Sequence, residues 1–233
     1  NGTKERCFAG EASSWKHEPG VAFNTIAVDL QCTDIKALKT RAPGLPDNAF
    51  IHDGQITKRE VRAATLSILE PFPGALLWDI GAGSGSIGIE WMRTDHRCQA
   101  IAIEENPQRA MNIATNVTQL GVPNLRIING KAPSVLSKLP PPDAIFIGGG
   151  ITTKGMLTKC WASLKTGGCL VANVMTIEGE AIVYKHQKKL GGDLTRISIS
   201  NLDNIGAKQA WRPSIPITQW KVQKPIPSAR RHR

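Results

Sequence analysis

The sequence predicts an α/β fold in which a mostly parallel sheet carries helices on both faces. Apolar runs of five to seven residues recur along the chain, and segments with helical periodicity separate them. The runs are almost continuously apolar instead of alternating with polar residues. Strands of this kind are buried on both faces, as in parallel sheets covered by helices.

The elements follow in order from these patterns. Apolar residues at helical spacing predict a first helix over 57–70, which Pro71 and Pro73 end. Strands are then predicted at 75–80, 99–104, 125–129, 144–148 and 169–175, and further helices at 86–93, 107–120, 132–139, 153–164 and 178–190.

Two later runs have no helix between them, TRISISN at 195–201 and PITQWKV at 216–222. They predict an antiparallel addition at one edge, so that the whole is a seven-stranded, mostly parallel sheet with an antiparallel edge strand. Residues 1–42 have weak periodicity and one strand-like run, NTIAVDLQC at 24–32, before the turn-rich RAPGLPD.

Composition limits the kind of protein. A chain of 233 residues with 41% hydrophobic and 21% charged residues is typical of a soluble globular protein with one full domain. No apolar run could span a bilayer, and no secretory leader opens the sequence. The chain begins at Asn1, which favours a fragment or a processed product.

Five cysteines without CxxC spacing indicate reduced thiols and neither disulfides nor a zinc site; Cys98 and Cys169 are expected in the core.

The net charge of +10 suggests an anionic partner. Nucleic acid, an acidic membrane surface and a polycarboxylate small molecule all fit, and a basic tail without a specific ligand is the simpler alternative. No acidic residue follows Asp203, and seven basic residues do: Lys208, Arg212, Lys221, Lys224, Arg230, Arg231 and Arg233.

The stretch LLWDIGAGSGSIGIEW carries the most information about function. A strand ends near Asp79, glycines alternate at Gly81, Gly83 and Gly85, and a helix begins near Ser86. The glycines allow a tight turn and a close approach by a ligand, while the helix N-terminus favours an electron-rich ligand atom. This D-x-G-x-G-x-G form is typical of S-adenosylmethionine-dependent methyltransferases of the Rossmann-like class I. A tight turn without a ligand is the alternative.

Glu104 supports a nucleoside site. It ends the second predicted strand, 23 residues after Gly81, where Rossmann-type sites place an acid on the ribose hydroxyls. This position does not distinguish S-adenosylmethionine from a dinucleotide. Glu105 is expected at the surface. The loops NGKAP at 129–133 and IGGG at 147–150 follow the next two strands, at the rim where open α/β sheets bind ligands.

Other features are less specific. The spacing of Thr57 and Glu60 predicts a capping box at the first helix. His52, Asp53 and Gln55 precede it and could face a substrate or solvent. Trp78 and Trp91 fit core packing, and the sequence has no aromatic platform for single-stranded nucleic acid.

Four stretches together resemble the carboxyl-terminal half of the precorrin-6Y C(5,15)-methyltransferase (decarboxylating) family of cobalamin biosynthesis: GLPDNAFIHDGQITKREVRAATL, LLWDIGAGSGSIGIEW, NGKAPSVLSKLPPPDAIFIGGG and WRPSIPITQW. The resemblance covers roughly residues 43–224. It implies methyl transfer from S-adenosylmethionine to carbon 15 of the precorrin ring, with decarboxylation of the ring-C acetate. It also implies a cytoplasmic homo-oligomer, a tetramer, without membrane or nucleic-acid partners.

The resemblance implies cofactor contacts at Thr57, Gly81, Ala82, Gly83, Ser84, Gly85, Glu104 and Ala132. It places the methionine end on the glycine loop, the ribose on Glu104 and the adenine beside Ala132, with HDGQI at the entrance. No catalytic residue is assigned. The implied domains are a remnant of a preceding methyltransferase domain plus linker (1–42), the class I methyltransferase domain (43–225) and a basic tail (226–233).

Three alternatives stay open at this point. The chain could methylate another acceptor such as RNA, with the basic tail on phosphates. It could be a non-catalytic remnant that only binds the cofactor or a partner. A nicotinamide-dependent dehydrogenase fits least, because Ser86 stands where the third dinucleotide glycine is expected.

Overall fold

A computed structural model describes residues 6–18, 20, 24–31 and 39–227 of the chain. The chain divides into two compact units, Asn1–Leu38 and Lys39–Arg233. The domain boundaries expected at 42/43 and 225/226 stay predictions, and most of the basic tail, 228–233, lies outside the described residues.

The first unit has little regular structure in its described part. It contains one 3₁₀ turn, Ala12–Ser14. The strand expected at 24–32 is wrong for 24–31, which form no strand, and Cys32 lies outside the described residues. Alternating apolar residues form a strand only with a neighbour to pair with. Residues 25–31 belong to no strand of the described part of the chain, and Ile26, Val28 and Leu30 are exposed.

The second unit contains nine strands in its described part. They are β1 Leu76–Ile80, β2 Gln99–Glu104, β3 Arg126–Asn129, β4 Ala144–Ile147, β5 Cys169–Val174, β6 Asp193–Ile197, β7 Ser200–Ile205, β8 Lys208–Pro213 and β9 Ile217–Gln223. Seven of them form one sheet in the order β3-β2-β1-β4-β5-β9-β6, and β7 pairs with β8 in a separate hairpin.

Five α-helices cover this sheet: α1 Arg59–Leu69, α2 Ser86–Thr94, α3 Pro107–Gln119, α4 Met156–Ser163 and α5 Ile177–Leu190. Two of them begin with side-chain caps. The side-chain oxygen Oδ1 of Asn106 accepts from the backbone N–H groups of Gln108 and Arg109 in α3. The Thr176 hydroxyl oxygen accepts from the backbone N–H of Gly179 in α5. No described helix is both long and apolar enough to cross a membrane.

The seven-stranded, mostly parallel sheet is confirmed. Strands β1 to β5 are parallel, and β9 runs antiparallel to both β5 and β6. The reversed strand therefore lies one position in from the edge, and β6 forms the edge. The sequence patterns did not predict the β7–β8 hairpin, because its residues are almost all exposed and lack a buried apolar face.

Two apolar clusters lie on opposite faces of the sheet. One holds Leu77 of β1 with residues of α1, α2 and α3, and the other holds Trp78 of β1 with residues of α4 and α5. Side chains alternate between the faces of a strand, so a continuous apolar run supplies both clusters. Trp78, Trp91 and Cys98 are buried as expected, and Cys169 is partly buried.

Two helix predictions need correction. The segment expected at 132–139 forms a 3₁₀ helix over Ser134–Lys138, because prolines on both sides leave too few residues for an α-helix. The capping box is wrong: α1 begins at Arg59, its N-cap residue is Lys58, and no side chain caps it. Thr57 instead turns its carbonyl oxygen toward Arg62, which donates to it.

A buried ion pair fixes the segment 44–57, called here the wall segment, to the helices beneath it. The Arg62 guanidinium is fully buried and donates to the Glu90 carboxylate at 2.7 Å. Glu90 accepts from the backbone of Gly44 at 2.6 Å and of Leu45 at 3.0 Å. Arg62 also donates to the carbonyl oxygens of Leu45 and Thr57. One ion pair therefore holds both ends of the wall segment.

We expect Arg62→Met to lower the free energy of unfolding by about 3 kcal/mol or more, since it leaves Glu90 charged and buried without its partner. Arg97, whose pair with Asp95 is mostly exposed, is the matched control. Arg97→Met should cost less than about 1 kcal/mol. Urea unfolding of both variants measures the difference, and equal losses would contradict the structural role given to Arg62.

Candidate functional site

A cavity of about 1170 Å³ opens at the carboxyl ends of the parallel strands. It extends across the point where β1 adjoins β2 on one side and β4 on the other. Open α/β sheets bind ligands at such a switch in strand order. The volume exceeds the roughly 300–1,000 Å³ of pockets for single small molecules. It therefore suits two ligands side by side or one large ligand.

The glycine loop between β1 and α2 forms one wall of this cavity. Gly81, Gly83 and Gly85 have φ values of +68°, +59° and +76°, which other residues rarely adopt. A Cβ at Gly81 would lie 2.8 Å from Gly149 N, and one at Gly83 would lie 3.1 Å from the Gln55 carbonyl oxygen. Larger side chains here would displace the wall segment and the loop after β4.

Glu104 lies at the end of β2 and reaches into the same region. Its carboxylate accepts from Gly83 N at 2.8 Å and from Asn106 N at 2.9 Å, one bond to each oxygen. The residue is only 4% exposed, yet it lines the cavity. A carboxylate offers about four acceptor sites, so each oxygen keeps capacity for a ligand hydroxyl.

Asp79 lies beneath the glycine loop. Its Oδ2 accepts from Gly88 N in the first turn of α2 at 2.9 Å, and its Oδ1 is buried without a hydrogen-bond partner. Burial raises the pKa of this carboxyl to about 7, and the negative charge of Glu104 acts in the same direction. Asp79 therefore fixes the start of α2 relative to β1. It is not one of the described residues that line the cavity.

The cavity brings together most of the residues expected to hold a cofactor: Thr57, Gly81, Ala82, Gly83, Glu104 and Ala132. Ser84 and Gly85 are absent from its described lining. Ser84 is buried and exposes no surface to a ligand. Gly85 is the N-cap residue of α2 and lies against Ile113, where a Cβ would come within 2.8 Å. Glu105 is exposed as expected, and its carboxylate lies 3.7 Å from Lys131 Nζ.

Asn116 of α3 joins the wall segment to the glycine loop. Its side-chain amide accepts from Ile51 N at 2.7 Å and donates to Ile51 O and Ser84 O, both at 3.0 Å. Arg109 of the same helix pairs with Asp53 at 2.8 Å. Of the segment HDGQI, residues 54–56 line the cavity, and His52 and Asp53 are not among its described lining residues; its role as an entrance stays a prediction.

Three residues that position the wall segment were not predicted from the sequence: Arg62, Glu90 and Asn116. A signal existed for the first two. Arg62 precedes Leu66 and Leu69 at helical spacing, on the face that packs into the core, and Glu90 stands in the otherwise apolar stretch of α2. Two opposite charges on buried faces require each other as partners. Nothing local distinguishes Asn116 from a surface asparagine.

The cavity has two chemically different halves. The half over β1, β2 and β3 presents backbone of the glycine loop and the Glu104 carboxylate. The half over β4, β5, β9 and β6 is mostly apolar, with Met175, Ile215 and Ile217 among its lining residues. The lining contains four cationic residues, Lys58, Arg59, Arg109 and Lys131, and four acidic residues, Asp47, Glu60, Glu104 and Glu105.

A family model described as a precorrin methyltransferase domain matches residues 48–224. The chain belongs to this family. The domain has the Rossmann-like class I methyltransferase fold, as expected from the D-x-G-x-G-x-G loop and the sheet order.

Relatives of two lengths match this domain. The precorrin-6Y C(5,15)-methyltransferase [decarboxylating] of Sinorhizobium sp is 50% identical over 202 residues, which cover 87% of this chain and 49% of the relative. A shorter relative from Sulfolobus acidocaldarius is named "Probable cobalt-precorrin-6B C(15)-methyltransferase (decarboxylating)". It is 32% identical over 155 residues, covering 65% of this chain and 81% of the relative.

A solved structure gives the same correspondence. The carboxyl-terminal domain of precorrin-6Y C5,15-methyltransferase from Rhodobacter capsulatus is 41% identical, with a TM-score of 0.76. The match covers 80% of this chain and 100% of that domain. The chain thus spans about half the length of the longer curated relatives and corresponds to their carboxyl-terminal domain.

Asp79 makes the stability of the domain depend on pH. Its pKa is about 7 in the folded protein and 3.8 ordinarily, so folding favours the protonated carboxyl. The contribution of Asp79 to the free energy of unfolding is fully present below about pH 4. It is lost as the pH rises to about 7. Asp79→Asn stays neutral, so we expect its free energy of unfolding to rise relative to wild type by up to about 4 kcal/mol between pH 4 and pH 7.

Denaturant unfolding at several pH values measures this difference. Asp95 is the control, because the Arg97 guanidinium holds the pKa of that exposed carboxyl well below its usual range. Asp95→Asn should show no such rise. A constant difference between Asp79→Asn and wild type would show that folding does not raise the pKa of Asp79.

Proposed function

We propose that this domain transfers a methyl group from S-adenosylmethionine to carbon 15 of a precorrin-6Y-type tetrapyrrole and removes carbon dioxide from the ring-C acetate. The correspondence with the shorter relatives carries the proposal. They are named for carbon 15 and decarboxylation alone, and the match covers 81% of the Sulfolobus acidocaldarius protein. The longer relatives are named for carbons 5 and 15, and the region that matches this chain is about half of their length.

We assign the polar half of the cavity to the methyl donor. Glu104 is proposed to accept from both ribose hydroxyls, since each of its oxygens has one backbone donor and remaining capacity. The methionine portion would lie along Gly81, Ala82 and Gly83, which leave room for it, and Thr57 faces that space from the wall.

Adenine would lie beside Ala132, which lines the cavity after β3. Ser84 and Gly85 are proposed to act only through the shape of the turn. The dinucleotide alternative fits less well, because Ser86 occupies the third glycine position and is itself buried.

The apolar half is assigned to the macrocycle. When bound, S-adenosylmethionine supplies a methyl group on a sulfonium, which is already a strong electrophile. The protein needs to align an electron-rich ring carbon with that methyl and to exclude water, and alignment of this kind supplies several kcal/mol. The carbon–carboxylate bond can then break with its electron pair entering the conjugated ring, and the acetate carbon takes up a proton to become a methyl group.

Charge supports an acidic substrate. Precorrins carry several acetate and propionate groups, and the chain has a net charge of +10. A net positive charge of the whole chain would raise the local concentration of such a polyanion. The tetrameric assembly and the cytoplasmic location that the resemblance implies stay predictions.

Turnover by the 233-residue chain tests the proposed function. With a precorrin-6-type substrate and S-adenosylmethionine labelled in its methyl group, we expect one labelled methyl gained and one carbon dioxide lost per macrocycle. Mass spectrometry of the tetrapyrrole and trapping of carbon dioxide measure both, and carbon-13 resonances locate the methyl. Label on carbon 5, or methylation without decarboxylation, would contradict the assignment.

A parallel reaction with RNA as acceptor separates the alternatives. Label in RNA, with binding that weakens steeply as salt rises, would favour an RNA methyltransferase. Binding of S-adenosylhomocysteine without transfer to either acceptor would favour a non-catalytic remnant.

A further inference from the structure

Three polar side chains form a hydrogen-bonded network behind the apolar half of the cavity. Asn173 of β5 donates to the Thr65 hydroxyl oxygen of α1 at 2.9 Å. Gln219 of β9 donates to the same oxygen at 3.0 Å and to the Asn173 side-chain oxygen at 2.9 Å. Thr65 is fully buried and Gln219 is 4% exposed. Asn173 is partly exposed and lines the cavity.

The direction of every bond in this network is determined. The Thr65 hydroxyl donates its single hydrogen to Val61 O at 2.7 Å, so its oxygen can only accept from the two amides. Both amide nitrogens must therefore face Thr65, which orients both side chains. The Asn173 oxygen is left to accept from Gln219.

Counting hydrogens then identifies an uncommitted donor. The Gln219 amide nitrogen uses both of its N–H groups, on Thr65 and Asn173. Asn173 has two N–H groups and gives one to Thr65, so one remains. Neither Thr65 nor Gln219 belongs to the described lining of the cavity, whereas Asn173 does. A rigid support thus holds one amide N–H at the cavity surface.

We propose that Asn173 is a substrate-binding residue that donates this N–H to a carboxylate oxygen of the methyl acceptor. The inference rests on the proposed function and adds a named contact to it. β5 lies two strands from β1, roughly 10 Å across the sheet, so Asn173 is beyond the half assigned to the nucleoside.

The surroundings of Asn173 make this donor selective. Phe146, Met175 and Ile217 also line this part of the cavity and offer no side-chain hydrogen bond of comparable strength, whereas Thr153, Asn201 and Ser214 are polar residues of the same lining. A few fixed polar groups in a mostly apolar pocket determine how a ligand is oriented. A neutral donor among apolar side chains would orient an acidic macrocycle without the strong attraction that a buried cation would exert on every carboxylate.

The test compares three variants of the full chain. Asn173→Asp replaces the donor with a charged acceptor to which the Gln219 amide can still donate. Asn173→Ala removes the donor without adding charge. Gln223→Met is the matched control, because it removes a side-chain amide from the same strand as Gln219, at an exposed position outside both the network and the described lining of the cavity.

Three readouts are used. Calorimetry with S-adenosylhomocysteine measures whether each variant is folded and whether the polar half of the cavity still binds the nucleoside. Steady-state turnover of the precorrin substrate gives kcat/KM. Absorbance titration with uroporphyrin, a stable tetrapyrrole with eight carboxylates, reports acceptor binding independently of catalysis.

We expect Asn173→Asp and Asn173→Ala to lower tetrapyrrole affinity and kcat/KM by about tenfold or more, as for a lost hydrogen bond to a charged group. Affinity for S-adenosylhomocysteine should stay within about twofold in all variants, and Gln223→Met should change kcat/KM by less than about threefold. Unchanged tetrapyrrole binding and turnover in both Asn173 variants would overturn the inference alone. A wild-type chain that binds S-adenosylhomocysteine and neither binds nor methylates a tetrapyrrole would overturn the proposed function with it.

Discussion

The buried ion pair between Arg62 and Glu90 is the constraint on which the site depends. It satisfies backbone groups at both ends of the wall segment, at Gly44, Leu45 and Thr57. The wall segment also buries the side chains of Leu45 and Phe50 in the core. Here the charges of two helices hold the loop, and Asn116 ties its middle to the glycine loop. The cavity keeps its shape because its loops are fixed from below.

The two halves of the cavity follow from the order of the strands. β1, β2 and β3 bring the glycine loop and Glu104 together on one side of the switch in strand order, and β4, β5 and β9 bring apolar residues and Asn173 together on the other. In the proposed reaction, the methyl group would cross the boundary between these halves, near Gly81 and Gly148. Both are glycines, and a Cβ at Gly148 would come within 2.8 Å of the Phe146 ring.

Local patterns predicted most of this fold. Strands β1 to β5 were expected within one residue of their observed ends, because short apolar runs are bounded by glycine, proline and polar residues. The glycine loop and Glu104 were likewise identifiable from spacing.

The features that were not predicted from the sequence depend on contacts between residues that are far apart in the chain. The α1 N-cap shifted from Thr57 to Lys58, where the Thr57 carbonyl meets Arg62 and no side chain caps the helix. Thr65 and Gln219 are 154 residues apart, and Asn173 meets them only because β9 inserts beside β5. The exposed β7–β8 hairpin has no periodicity from which it could have been predicted.

The assignment of Glu104 to a ribose is the central claim, and calorimetry with S-adenosylhomocysteine and with NAD tests it most directly. The wild-type chain should bind only S-adenosylhomocysteine. Glu104→Ala should weaken that binding by about tenfold or more, because two charge-assisted hydrogen bonds are lost. Glu178→Ala, at an exposed position of α5 outside the described lining of the cavity, should leave it unchanged. Equal affinity in wild type and Glu104→Ala would contradict the account.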